Sequence, residues 1–145
     1  MTTLALSSCA GYRSANTTKL VPFTSDGCSL FPDGTPEDRG KWCDCCEKHD
    51  LAYWQGGSAE EREQADATLR DCVLARTRNK QLAEAMYIGT RAGGHPNFPT
   101  WYRWGYGWPY GRGYQPLSGK ERLQVKKRLA DYAKRHPAGY CVGNK

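Results

Sequence analysis

Residues 43–53 read Cys-Asp-Cys-Cys-Glu-Lys-His-Asp-Leu-Ala-Tyr. Three cysteines in four positions run straight into a His-Asp pair, and how they are spent decides the fold. Neighbours on a helix point about 100° apart, so Cys45 and Cys46 suit two separate bridges better than one shared ion. Residues three and four apart share a face, which aligns Trp42, Cys45 or Cys46, His49 and Tyr53. A zinc site made of Cys43, Cys45, Cys46 and His49 is the competing use of the same residues.

Working outward, the helix that carries this stretch is expected to start at Thr35. Thr35 can cap, Pro36 suits the first helical position and Asp38 completes a capping box. Gly56-Gly57 stops it. Ser58-Ala59-Glu60-Glu61 is a second capping box and starts the next helix. Its apolar side is Ala65, Leu69, Cys72, Leu82 and Met86, with a break near Asn79 and an end by Gly93-Gly94. Two glycines leave room only for a tight reversal, so the two helices should be antiparallel neighbours.

Residues 95–116 read HPNFPTWYRWGYGWPYGRGYQP. Glycine and proline forbid a long helix there, and a small hairpin is the most regular structure they permit. The rings between Trp101 and Tyr114, interleaved with Arg103 and Arg112, have three possible uses. They can cover a lean core, sit at a membrane interface, or stack on single-stranded nucleic acid. We take core cover first and membrane contact second, and expect no nucleic acid. A last helix is capped by Ser118 with Glu121 and runs to about His136, with Val125, Leu129 and Tyr132 as its apolar stripe.

The 145 residues suit one domain, and 39% hydrophobic content is a lean core that calls for staples. No apolar run approaches the roughly 20 residues that span a bilayer. From Gln115 onward eight basic residues face two acidic ones, so the whole formal charge of +6 lies in the tail. That tail is either a solvated helix face or a meeting point for an anionic partner. Seven cysteines leave one over in an oxidised protein. Leu6-Ser7-Ser8-Cys9-Ala10-Gly11 resembles a bacterial lipobox, and lipidation of Cys9 would leave an even six. Residues 1–26 are then a lipobox region and tether, and 27–145 a single domain. The lipobox places the protein at the periplasmic face of a bacterial envelope, lipid-anchored, or else secreted.

Packing geometry adds a carboxylate to the His-Asp pair. If Cys45 bridges Cys72 across antiparallel helices, His49 lies level with position 68 and Tyr53 with position 64. Asp66 falls between them, within a turn of each. A base oriented by an acid, with a tyrosine holding the acid, is a catalytic layout.

Cys45-Cys46-Glu47-Lys48-His49-Asp50-Leu51-Ala52-Tyr53 resembles the CCxxHDxxY active-site helix of secreted phospholipase A2 enzymes. Ala65-Asp66 with Cys72 six residues on resembles their second catalytic helix, and Cys28 to Pro36 is similar to their calcium loop in length and ending. Ala52 and Ala65 stand where many members carry a cysteine pair, so both ends of one bridge are absent together. The resemblance spans about Gly27 to Cys72.

It implies a mainly α fold: two antiparallel disulfide-linked helices with a calcium loop, followed by the aromatic, glycine-rich segment and a C-terminal helix. It implies the pairings Cys28–Cys46 and Cys45–Cys72, after which Cys43–Cys141 is what remains. It implies calcium-dependent hydrolysis of a phospholipid ester at a membrane surface. His49 would be general base, Asp66 and Tyr53 its supports, and Asp50 a Ca²⁺ ligand. Backbone carbonyls of about Gly27, Ser29 and Phe31 would join it, since Ca²⁺ takes six to eight oxygens. A non-catalytic lipid-binding or envelope-interaction protein on the same scaffold is the alternative. The sequence leaves oligomeric state open.

Overall fold

A computed structural model describes residues 19–143. It is mainly helical, with no strand among the described residues. The helices are α1 (Cys43–Gln55), α2 (Ala59–Thr77), α3 (Lys80–Gly93), α4 (Gly119–Arg135) and a single-turn α5 (Tyr140–Gly143). The expected hairpin in the aromatic segment is a chain of turns instead.

Two helix starts form as their capping boxes dictate. Ser58 and Ser118 each accept the backbone N–H of the glutamate three residues on, and each glutamate returns a bond to the serine N–H. The break near Asn79 is real: Arg78 turns left-handed (φ 54°) and the Asn79 side chain caps α3.

The start at Thr35 is corrected. Thr35 Oγ1 does accept from the Asp38 N–H at 3.1 Å, but that bond closes a turn and the helix begins only at Cys43. Buried Trp42 donates its indole N–H to Pro32 O at 2.7 Å and its backbone N–H to Asp33 O at 3.0 Å. The Cys28–Cys46 bridge ties the same loop to α1. These contacts fold residues 35–42 back on the loop, and tertiary structure overrides a local cap signal.

Two apolar clusters lie on different sides of α1. The first joins Cys28, Trp42, Cys45, Cys46, Leu69 and Val73 to Ala83 and Met86 of α3. The second joins Trp54 to Leu20, Phe23, Trp108 and Val125. Residues 19–26 therefore belong to the folded body: Leu20 is fully buried and the Val21 N–H donates to Gly107 O at 2.9 Å. Cys9 and the rest of the expected tether lie outside the described residues.

All three expected disulfides are present: Cys28–Cys46, Cys45–Cys72 and Cys43–Cys141. Every cysteine of the alternative zinc set is thereby used, each in a different bridge, and no thiolate of that set is left for a metal.

The aromatic segment closes the end of α1. The last carbonyls of a helix lack intrahelical partners. Here Tyr53 O accepts from Gly105 N–H at 2.6 Å, Trp54 O from Gly107 N–H at 3.0 Å, and Gln55 O from the Trp108 indole at 2.7 Å. The Trp104 indole donates to Gly57 O at 3.0 Å. Trp104 and Trp108 are buried, so core cover is their structural role, whereas Trp101 and Tyr110 remain exposed.

Candidate active site

His49 and Asp50 leave α1 in different directions, as helix neighbours must. His49 faces α2, where its Nε2 lies 2.7 Å from Oδ1 of fully buried Asp66. With Asp66 ionised, Nε2 carries the proton and donates, which leaves Nδ1 with its lone pair. Nδ1 has no hydrogen-bond partner among the described residues. The Tyr53 hydroxyl donates to the same Asp66 oxygen at 2.8 Å. His49, Asp66 and Tyr53 thus meet as the sequence argument places them.

Two arginines complete the group. Arg91 of α3 donates to Asp66 Oδ2 at 2.8 Å. Arg62 is 2% exposed and donates through Nε to the Tyr53 hydroxyl at 2.9 Å and through Nη1 to the Tyr114 hydroxyl at 2.7 Å. Its Nη2 reaches the carbonyls of Thr90 and Arg91 at 2.9 and 2.8 Å, closing the end of α3. Burial by itself would raise the Asp66 carboxyl, but bonds from His49, Arg91 and Tyr53 outweigh it and hold the group below its ordinary range. Burial, reinforced by the Asp66 charge, pushes the Tyr53 phenol well above its usual value, so it stays a donor. Gly94 makes room for this ring: a Cβ there would stand 2.6 Å from the Tyr53 hydroxyl oxygen.

Sequence reasoning missed both arginines. Arg62 stands four residues before Asp66 on α2, a spacing that pairs opposite charges, and that signal was available. Nothing in the sequence points to Arg91.

A cleft of about 140 Å³ opens on the other side of His49 and Asp50. Its walls include Leu30, Phe31, Leu69, Met86 and Tyr102. His49 and Asp50 thus stand at the edge of a slot walled largely by apolar side chains.

Asp50 is 8% exposed, and its carboxylate accepts one side-chain hydrogen bond, from Ser25 Oγ at 2.6 Å. Burial, opposed by that bond and reinforced by nearby Asp26, pushes its carboxyl up to about 8. Asp26 accepts from Ser29 Oγ at 2.7 Å and from the Trp101 indole at 3.3 Å. The two acids border a common hollow of about 420 Å³, and neither pairs with a lysine or arginine among the described residues. A buried carboxylate with a second acid beside it and no basic partner fits a cation.

The loop supplies more oxygens. Gly27 O accepts a turn bond from Ser29 N–H at 3.2 Å, while the carbonyls of Ser29 and Phe31 accept none among the described residues. The loop turns through Leu30 at φ 62°, a conformation that costs a non-glycine residue about 1–2 kcal/mol. Phe31 sends its ring against Gly89 of α3. One other group of potential ligands, Asp44 with Cys45 and Cys72, holds no free thiol, because these cysteines are bridged to each other.

No family model, no curated protein and no solved structure matches the chain. The residues of the site therefore carry the functional assignment by themselves.

Proposed function

We propose that this chain is a phospholipase A2-like hydrolase that cleaves an acyl ester of a phospholipid in a calcium-dependent reaction. The observation that carries this reading is the His49–Asp66 hydrogen bond, with a free Nδ1, beside a cleft that Asp50 also borders. The order of the pairs Cys45–Cys72, His49–Asp66 and Tyr53–Arg62 supports antiparallel α1 and α2, as the catalytic helices of that superfamily are expected to be.

In this reading Nδ1 takes a proton from a water molecule as the water oxygen bonds to the ester carbonyl carbon. Asp66 fixes the tautomer and balances the imidazolium that forms, and stays ionised itself. Collapse of the tetrahedral adduct breaks the bond to the glycerol oxygen, which receives the proton from Nδ1. The products are a fatty acid and a lysophospholipid. Tyr53 and Arg91 hold the Asp66 oxygens in place throughout. Leu30, Phe31, Leu69 and Met86 would receive the acyl chain and exclude water from it. Asp50, with carbonyls of Gly27, Ser29 and Phe31, would hold Ca²⁺, which when bound supplies positive charge for the phosphate and the ester carbonyl oxygen.

Three disulfides suit an oxidising compartment. We propose the bacterial envelope, with Cys9 as the lipid anchor, or secretion. Mass spectrometry of Cys9 in protein from a bacterial host with lipoprotein machinery checks the anchor, and an unmodified Cys9 sinks it.

The test of activity is fatty-acid release from phosphatidylglycerol vesicles. Release should require Ca²⁺ and stop in excess EDTA, and Asp50→Asn should lose calorimetric Ca²⁺ binding and activity together. Turnover that persists in EDTA defeats the calcium mechanism. Vesicle binding with no release under any divalent cation favours the non-catalytic lipid-binding alternative.

A further inference from the structure

The basic tail folds into α4 with its charge sorted onto one side. Glu121, Val125, Leu129 and Tyr132 turn toward the body, where Val125 joins the aromatic cluster and Glu121 pairs with Arg112. Lys120, Lys127 and Lys134 stand seven residues apart and form one row along the exposed side. Arg122, Lys126 and Arg135 are exposed as well. Asp131 is the acid among them and is engaged by Lys127 at 3.2 Å. Lys120, Arg122, Lys126 and Lys134 form no ion pair among the described residues. Beside the lysine row, Leu123 is 69% exposed.

A lysine-rich helix face with an apolar residue in it matches the chemistry of an anionic lipid surface. No aromatic side chain stands among these residues to stack on a base, so the face is poorly made for single-stranded nucleic acid. We propose that α4 is a docking surface for an anionic bilayer, with the lysines against the headgroups and Leu123 at the edge of the acyl region.

The surface is separate from the cleft. α4 and its cluster meet α1 through Glu47, Leu51 and Trp54, whereas the cleft uses Cys46, His49 and Tyr53 of that helix. Docking therefore leaves the His49 side of α1 uncovered. The inference extends the membrane part of the proposed function and does not depend on its chemistry.

The experiment is sedimentation of the full chain with phosphatidylglycerol or phosphatidylcholine vesicles in EDTA, so that neither Ca²⁺ bridging nor hydrolysis contributes. Each lysine near an anionic surface is worth about fivefold in affinity. Substituting Lys120→Gln, Lys126→Gln, Lys127→Gln and Lys134→Gln together should lower phosphatidylglycerol binding by roughly 600-fold. Phosphatidylcholine binding should stay the same. Raising salt should weaken wild-type binding to phosphatidylglycerol, since exposed charges are screened. A second variant removes the same charge elsewhere, through Arg39→Gln, Lys41→Gln, Lys48→Gln and Lys80→Gln, and should keep most of the preference. His49→Gln should bind like wild type, which separates failure of the surface from failure of the catalytic reading. Equal binding to both lipids overturns the proposal. So does an equal loss in both charge variants, or tighter capture of a single-stranded oligonucleotide than of phosphatidylglycerol vesicles.

Discussion

Both sides of α1 pack apolar residues, but only one of them also buries charge. Toward α2 and α3 the helix meets an apolar cluster that includes Leu69, Val73, Ala83 and Met86, and beside it buried charge: Asp66 at 0% exposure, Arg62 at 2%, and the His49 and Tyr53 bonds between them. Toward Leu20, Phe23 and Trp108 it meets rings; indole and backbone N–H groups donate to its last carbonyls, and the Tyr132 hydroxyl donates to the Glu47 carboxylate. Burying ionised groups costs several kcal/mol each unless their geometry is held closely. Cys45–Cys72, the bridge between α1 and α2, lies on the charged side. The other side has its own bridge: Cys43–Cys141 ties the start of α1 to α5, whose Tyr140 N–H donates to Glu47, while burial of the large rings is favourable without a fixed partner. One helix therefore joins a buried charged group to a second, aromatic cluster.

The sharpest way to break this comparison is a mutation on each side. His49→Gln should cut ester hydrolysis by about 10²–10⁴ while its thermal midpoint stays close to wild type. Trp108→Ala should cost about 3–5 kcal/mol in urea unfolding, because it empties a fully buried site and frees the Gln55 carbonyl. If His49→Gln retains full turnover, the charged side is not an active site. If Trp108→Ala unfolds like wild type, the aromatic side is not the stability core.

A smaller effect follows from the staple. Removing Cys45–Cys72 by paired alanine substitutions should cost about 3 kcal/mol, the usual value for a loop of this length. Activity should fall in the protein that remains folded, since α2 carries Asp66. Loss of stability with unchanged specific activity would show that α2 keeps its register without the bridge.

The smallest effect is an acid dependence of α4. The Arg112 guanidinium beside Glu121, with the Ser118 N–H, holds the Glu121 carboxyl at about 2 against an ordinary 4.5. A carboxyl lowered on folding stabilises fully above its unfolded value and loses that contribution as pH falls toward the folded one. Stability should therefore decline between about pH 4.5 and 2 partly through this pair. Glu121→Gln should flatten that part of the profile in a series of urea unfolding curves. An unchanged profile would mean that α4 docks through Val125 and Leu129 alone.

Much of this was legible in the chain. The capping boxes at Ser58 and Ser118 marked helix starts because their donors and acceptors lie within three residues. The meeting of His49 with Asp66 was legible because one assumed bridge and a constant rise per residue place both. Thr35 misled because its cap bond is equally good in a turn, and the burial of Trp42 chose the turn. Leu20 and Phe23 were hidden as well: isolated apolar residues in a polar stretch show no period, yet both are buried.

The sequence by itself determined the helix starts at Ser58 and Ser118, the cysteine pairs expected from one resemblance, and the residues that face one another across α1 and α2. The helix starts and the facing residues follow from local hydrogen bonding and from helical periodicity, which a linear chain displays; the cysteine pairs follow from the resemblance alone. Only the tertiary structure decided that Arg91 supports Asp66, and that the aromatic segment caps α1. It also decided that Asp26 stands beside Asp50. Those contacts join residues up to 53 positions apart. Such a contact depends on where whole elements come to rest, and no local pattern in the chain encodes that position.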